Sequence, residues 1–317
     1  MRDKDLRDGK KDFEGLLAAA HTPFNAAGRL DANTIRKQYE LFQESGVDGV
    51  FLCGTAGEGH SLSCGERRTV LDAWVGVSEG AFPVIAHVGH ASIRDAVRLA
   101  EHAAKAGAWA IAAMAPIYYK PQSLEELVEY LAAIAAGAPD LPFYFYDAPD
   151  FNGVRFPTEE VLEWGRLRIP TLRGAKFTST DLRTYARCQR LDPPFNMLIG
   201  YEETWMPAIT LGARAAIGVT FNFAAPVYKR IYEAMEIGDL ASAQEEHAKA
   251  LELNVVLERY GVVRASKAIM ALMGVDCGEV RLPLRPFHER EMNELFEFVR
   301  EMDVFARPLG TPAELGR

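Results

Sequence analysis

Short apolar runs bounded by glycine or proline alternate along the chain with longer amphipathic stretches, and the alternation is regular. The runs Gly15–Ala20, Gly49–Cys53, Pro83–Val88, Trp109–Met114, Pro142–Tyr146, Thr171–Lys176, Phe195–Ile199 and Ala213–Ile217 read as strands. Stretches of helical period, such as Ser92–Ala106 and Leu124–Ala136, lie between them. Eight strands joined by eight crossovers predict an α/β fold, a parallel (β/α)8 TIM barrel over residues 14–235. A charged arm, 1–13, precedes it, and a helical appendage, 236–317, follows, with amphipathic segments at Leu240–Tyr260 and Val263–Met273. The rival is a doubly wound sheet, but no G-x-G-x-x-G follows the first strand.

Composition narrows the partners. Among 317 residues, 35 Lys+Arg face 44 Asp+Glu, a formal charge of −9, and the basic residues are scattered, so nucleic acid is not expected. Hydrophobic residues at 49% suffice for a large core, yet no apolar run is long enough to span a bilayer, and the mixed-charge start lacks the apolar core of a signal peptide. Cys53, Cys64, Cys188 and Cys277 lie far apart without a C-x-x-C pair, as expected of reduced thiols in a cytoplasmic protein.

In a barrel the chemistry sits where the strands end. Lys176, in TLRGAKFTST, ends an apolar strand between Ala175 and Phe177. Apolar surroundings disfavour a charged ammonium and favour the neutral amine, which attacks carbonyls; the alternative is a lysine that snorkels to solvent or pairs with an acid. Tyr146, in LPFYFYDAP, ends the preceding strand, where a phenol can relay protons to an imine or pack as one more aromatic of that strand. The loop FLCGTAGEGH, with Gly54, Gly57 and Gly59, can form an anion-binding nest or simply a tight turn, and it is not a P-loop. His87 and His90 lack matching carboxylates, so no metal is expected. Further polar residues after strands are His21, Thr22, Tyr118, Tyr119, Asp147, Thr178, Tyr201 to Glu203, Thr220 and Asn222.

These segments together resemble the pyruvate-dependent class I aldolases typified by N-acetylneuraminate lyase and dihydrodipicolinate synthase. The match runs from about residue 14 to 290. It is carried by Gly54-Thr55-Ala56-Gly57-Glu58 against G-[TS]-T-G-E, Tyr146-Asp147-Ala148-Pro149 against Y-N-x-P, and Gly174-Ala175-Lys176 against G-x-K, in the family's order. The resemblance implies an imine on Lys176, a proton relay through Tyr146 and Thr55, and a carboxylate held by the loop at Ala56 and Gly57. Thr178, Gly200, Glu202, Glu203 and Val219 complete the implied substrate contacts, and no cofactor is implied. Tyr118, in APIYYKP, matches a tyrosine that some members contribute across a subunit boundary, in homotetramers. Two departures stand out: Ala56 replaces a threonine, and Asp147 stands where Asn is usual, a buried acid beside the imine that would be costly unless paired.

The resemblance also bears on the substrate. Dihydrodipicolinate synthases carry an arginine after the Y-N-x-P proline to grip a second carboxylate, and here that place holds Phe151, which offers no such contact. In sialic acid lyases an acidic pair after the seventh strand binds sugar hydroxyls, and Glu202 and Glu203 occupy those places, unless they are a solvated helix start. GTAGEGHSLSCGERR and SKAIMALMG also resemble the animal-type lyases, while Val219 replaces their serine. The expected activity is cleavage of N-acetylneuraminate or a related 2-oxo-3-deoxy sugar acid. The alternatives are a dihydrodipicolinate synthase-like enzyme, another 2-oxo-3-deoxy sugar acid aldolase or dehydratase, and a barrel that binds a sugar acid without turning it over.

Overall fold

The computed structural model describes residues 12–315. Eight parallel strands close on themselves in sequence order: β1 (Gly15–Ala19), β2 (Gly49–Leu52), β3 (Val84–His87), β4 (Ala110–Met114), β5 (Phe143–Asp147), β6 (Leu172–Phe177), β7 (Asn196–Ile199) and β8 (Ala215–Gly218). The crossovers are α1 (Asn33–Ser45), α2 (Cys64–Ser78), α3 (Ile93–Ala106) and α4 (Leu124–Ala135), then α5 (Pro149–Asn152) with α6 (Thr158–Arg168), α7 (Leu182–Cys188), α8 (Trp205–Thr210) and α9 (Ala225–Glu236). Three more helices follow, α10 (Leu240–Tyr260), α11 (Val262–Leu272) and α12 (Glu289–Val299). The fold is the expected TIM barrel with helices after it; β5 and β6 lie one residue later than their apolar runs suggest, while β1 and β2 end one residue earlier. β5 and β6 run on to Asp147 and Phe177 because the ladder pairs these two beyond Tyr146 and Lys176.

Both faces of these strands are buried, so they read as continuous apolar runs, and the period of two decides which side chains fill the lumen. Leu17, Ala19, Phe51, Ile85, Ala110, Ala112, Met114, Tyr144, Tyr146, Leu198, Ala215 and Ile217 point inward as one cluster. A second cluster joins the outer strand faces to the helices. Gly174 is required where β6 meets β7, since a Cβ there would lie 1.9 Å from the Asn196 carbonyl oxygen.

The N-terminal end of the barrel is closed. Of the expected arm, residues 1–11 lie outside the described residues, whereas Phe13 is buried across the barrel floor. Its N–H donates to Asn196 Oδ1 (3.1 Å), its carbonyl accepts from Asn196 Nδ2 (3.0 Å), and its ring meets Trp109 edge-on at 5.9 Å. Tyr144 donates to the same Asn196 Oδ1 (2.8 Å).

The other end is covered in part by the chain after the barrel. Gly261, at φ 86° and ψ 110°, ends α10 and starts α11, a conformation that a side chain would strain. Leu253, Leu257, Ile269, Met270 and Leu272 fix this joint against the outer core, each burial contributing about 1.5–3 kcal/mol.

Candidate active site

Inward-facing positions at the C-terminal ends of β5 and β6 bring Tyr146 and Lys176 side by side, paired in the ladder. Lys176 is 5% exposed, its Nζ 4.2 Å from the centroid of the Tyr146 ring and 4.3 Å from that of Phe51. Among the described residues it forms no ion pair. The Tyr146 hydroxyl hydrogen-bonds Thr55 Oγ1 (3.1 Å), which joins the relay to the loop after β2.

That loop is braced from behind. Thr22 donates to the Gly57 carbonyl (2.6 Å), and His21, held neutral by burial and the nearby Lys267 ammonium at a pKa of about 3, donates from Nδ1 to the Ala56 carbonyl (3.2 Å). Asn222 in turn accepts from the His21 N–H (3.3 Å). Within the loop, the N–H groups of Glu58 and Gly59 donate to the carbonyls of Thr55 and Gly54, while among the described residues those of Thr55 and Ala56 donate to none. Glu58, at φ 52°, turns its carboxylate down to Lys267 of α11 (2.6 Å) and accepts from the Arg281 N–H (2.8 Å). The chain after the barrel thus anchors the loop.

Thr55, Ala56, Tyr146, Lys176, Thr178, Gly200, Glu202, Glu203 and Val219 all line one cavity of about 300 Å³ at the barrel mouth. Phe151 and Tyr201 join them. Thr178 is buried, its Oγ1 has no partner, and it lies where a Cβ on Gly200 would come within 2.3 Å. The same Cβ would lie 3.2 Å from Lys176 Cε, so glycine keeps the amine accessible. Glu202 is buried with Oε1 accepting from Thr220 N–H (2.8 Å) and Thr220 Oγ1 (2.9 Å). Burial pushes its carboxyl up. Burial and the neighbouring Glu202 and Glu258 raise Glu203 to about 7.

Three expected residues stand apart. Gly57 lies behind the lining, and Tyr118, 80% exposed on the loop after β4, does not reach the cavity of its own chain. Asp147 is not beside the amine: alternation turns it to the outer face, where Oδ2 accepts from Thr158 Oγ1 of α6 (2.6 Å) and burial raises it to about 6. The histidines of AHVGH also diverge. His87 faces Tyr146 edge-on inside the barrel, with Nδ1 donating to the Cys53 carbonyl (3.0 Å). His90 converges with Cys64 and Asp95, their ligand atoms within 4.8 Å of one another. Because His90 Nδ1 accepts from the Ser92 N–H (3.0 Å), its Nε2 carries the proton and offers a metal no lone pair.

One wall of the cavity comes from outside the strand ends: Asn254, Leu257 and Glu258 from α10, Gly261 to Arg264 at the joint, and Leu284. Helical period marks α10 and α11 as amphipathic but carries no signal for which end of a barrel they cover.

Comparison with known proteins places the chain in a family. Residues 12–302 match the Dihydrodipicolinate synthetase family. The chain is 36% identical to N-acetylneuraminate lyase of Mus musculus over 305 residues, 94% of this chain and 95% of the relative. It is 38% identical to that of Homo sapiens over 282 residues, 87% and 88% of the two chains. The structure of N-acetylneuraminate lyase (sialic acid aldolase) from Aliivibrio salmonicida superposes with a TM-score of 0.90 at 37% identity, covering 93% of this chain and 98% of that one.

Proposed function

This chain belongs to the dihydrodipicolinate synthetase family, and on that premise we propose that it is a Schiff-base aldolase cleaving N-acetylneuraminate, or a related 2-oxo-3-deoxy sugar acid, to pyruvate and an aldehyde. One observation carries the reading: a buried strand-end lysine without a carboxylate partner among the described residues, set against a phenol that is hydrogen-bonded to the anion loop. The N–H groups of Thr55 and Ala56 receive the substrate carboxylate, which explains how the site dispenses with a hydroxyl at position 56. The neutral amine of Lys176 attacks the C2 carbonyl, and the carbinolamine loses water to give a protonated imine. Tyr146, coupled to Thr55, gives its proton to the departing carbinolamine hydroxyl, and the resulting phenolate then removes the proton of the C4 hydroxyl and later returns it to C3. The C3–C4 bond then breaks, its electron pair passes to the imine nitrogen as an enamine, and the C4 oxygen leaves as the aldehyde. Protonation at C3 and hydrolysis return pyruvate and the free lysine.

Phe151 offers nothing to offset desolvation of a second carboxylate, which disfavours aspartate semialdehyde as partner, and Glu203 faces the polyol end. The test is borohydride with pyruvate: the expected result is a reduced pyruvyl adduct on Lys176, and a well-folded protein with no adduct, or one only on another lysine, refutes the mechanism.

We further propose a homotetramer of tight dimers in which Tyr118 enters a neighbour's relay. The exposed run of Ile117, Tyr118 and Tyr119 supports this, and light scattering that finds only monomer at micromolar concentration refutes it. Four free cysteines support a reducing, cytoplasmic location, which fractionation tests. Among the described residues no helix is long and apolar enough to cross a membrane.

A further inference from the structure

Thr55 to Glu58 form a four-residue turn closed by the Glu58 N–H on the Thr55 carbonyl (3.0 Å). Its central peptide joins Ala56 to Gly57, and Gly57 lies outside the left-handed region, which makes the turn type I. Rotating that peptide by about half a turn gives type II, whose third residue needs a positive φ that glycine adopts without strain. The sequence allows both orientations, and the surroundings choose between them. His21 Nδ1 donates to the Ala56 carbonyl (3.2 Å), and the backbone of His21 is itself fixed on both sides. Its N–H donates to Asn222 Oδ1 (3.3 Å), and its carbonyl accepts from Gln38 Nε2 (3.0 Å). His21, Gln38 and Asn222 are all buried.

The choice has a chemical consequence. In a trans peptide the N–H points away from the carbonyl, so with the Ala56 oxygen turned back to His21 the Gly57 N–H faces the cavity side that Ala56 lines. That N–H donates to no group among the described residues. The reversed peptide would aim an oxygen there instead, against an incoming carboxylate. Residue 56 carries only a methyl group, and the Thr55 hydroxyl is engaged with Tyr146, so the loop holds an anion chiefly by the direction of its peptides. We propose that His21 is a positioning residue of the carboxylate subsite, holding the Ala56–Gly57 peptide in the orientation that offers the substrate an N–H rather than an oxygen. This rests on the aldolase reading above.

The experiment measures the pyruvate concentration that half-saturates borohydride labelling of Lys176, alongside kcat for condensation of pyruvate with N-acetylmannosamine. His21→Leu, which fills the space without a donor, should raise that concentration about tenfold and leave kcat at saturating pyruvate within about twofold of wild type. An asparagine amide places its N–H near where the histidine Nδ1–H lies, and a glutamine amide places it near Nε2. His21→Asn should therefore stay within about threefold of wild type, and His21→Gln should resemble His21→Leu. Unlabelled wild type removes the reaction itself and this inference with it. Labelling whose pyruvate dependence is the same in wild type and His21→Leu overturns this inference alone, as does a loss confined to kcat. Equal weakening by Asn and Gln also overturns it, since that marks a residue felt only through packing, and this comparison decides the matter even where His21→Leu does not fold.

Discussion

Two lysines are buried on the same side of this barrel, in opposite company. Lys267, on α11, meets Glu58 at 2.6 Å, donates to the Glu279 carbonyl (3.2 Å) and lies over the Phe24 ring (4.4 Å). Burial pushes its ammonium down from the usual lysine range while Glu58 opposes the shift. Lys176, on β6, rests on two aromatic faces and has no carboxylate partner among the described residues. Burial therefore does not by itself mark a reactive lysine. The carboxylate does the sorting: with it the charge is locked into the scaffold, and without it the amine is left for a substrate carbonyl.

Exchanging the outcomes of the two positions would break that contrast. Lys176→Met should lower kcat/KM by on the order of 10⁵-fold while leaving thermal stability unchanged or raised, because no buried charge loses a partner. Paired turnover and calorimetry measurements check it, and a large drop in Tm with residual activity contradicts it. Lys267→Met should instead destabilise the fold by about 3–5 kcal/mol, since buried Glu58 loses its ion-pair partner, and the double variant with Glu58→Gln should recover most of the loss. Denaturant titration of both variants checks this, and equal stability of the single variant and the wild type would mean that the pair is not a lock.

A third buried charge sharpens the contrast with a smaller effect. Asp147 has a hydroxyl partner and, among the described residues, no ion-pair partner, and its pKa rises from 3.8 to about 6 on folding. Between those values the folded state holds the proton and the unfolded state does not, so stability falls as pH rises from about 4 to 6 and is level above. Asp147→Asn should flatten that stretch by about 3 kcal/mol, as read from melting temperatures across the range. A profile that keeps its slope contradicts the assignment.

Much of this contrast is legible in the chain itself. The barrel follows from eight apolar runs whose two buried faces allow little else, and Tyr146 and Lys176 follow from their places at strand ends. Asp147 was legible too, because an inward Tyr146 forces its neighbour outward, yet attention to the motif sets it beside the imine. Glu258 and Arg264 were not legible: helical period shows that α10 and α11 bury a face, but the half of the cavity they wall depends on the turn at Gly261. The Glu58–Lys267 pair is hidden for a related reason. Its members are 209 residues apart by their numbers (267 − 58), and no local pattern links them.

The floor made by Phe13, Trp109, Tyr144 and Asn196 turns the barrel into a blind tube with one working opening. Traffic through such a tube is a stack: what seats deepest arrives first and departs last. Under the proposed reaction the three-carbon keto acid occupies the bottom, tethered to Lys176, and the aldehyde sits above it. Cleavage therefore releases the aldehyde before pyruvate, and synthesis requires pyruvate to load before the aldehyde, so queueing order is imposed by the shape of the vessel before any chemistry begins.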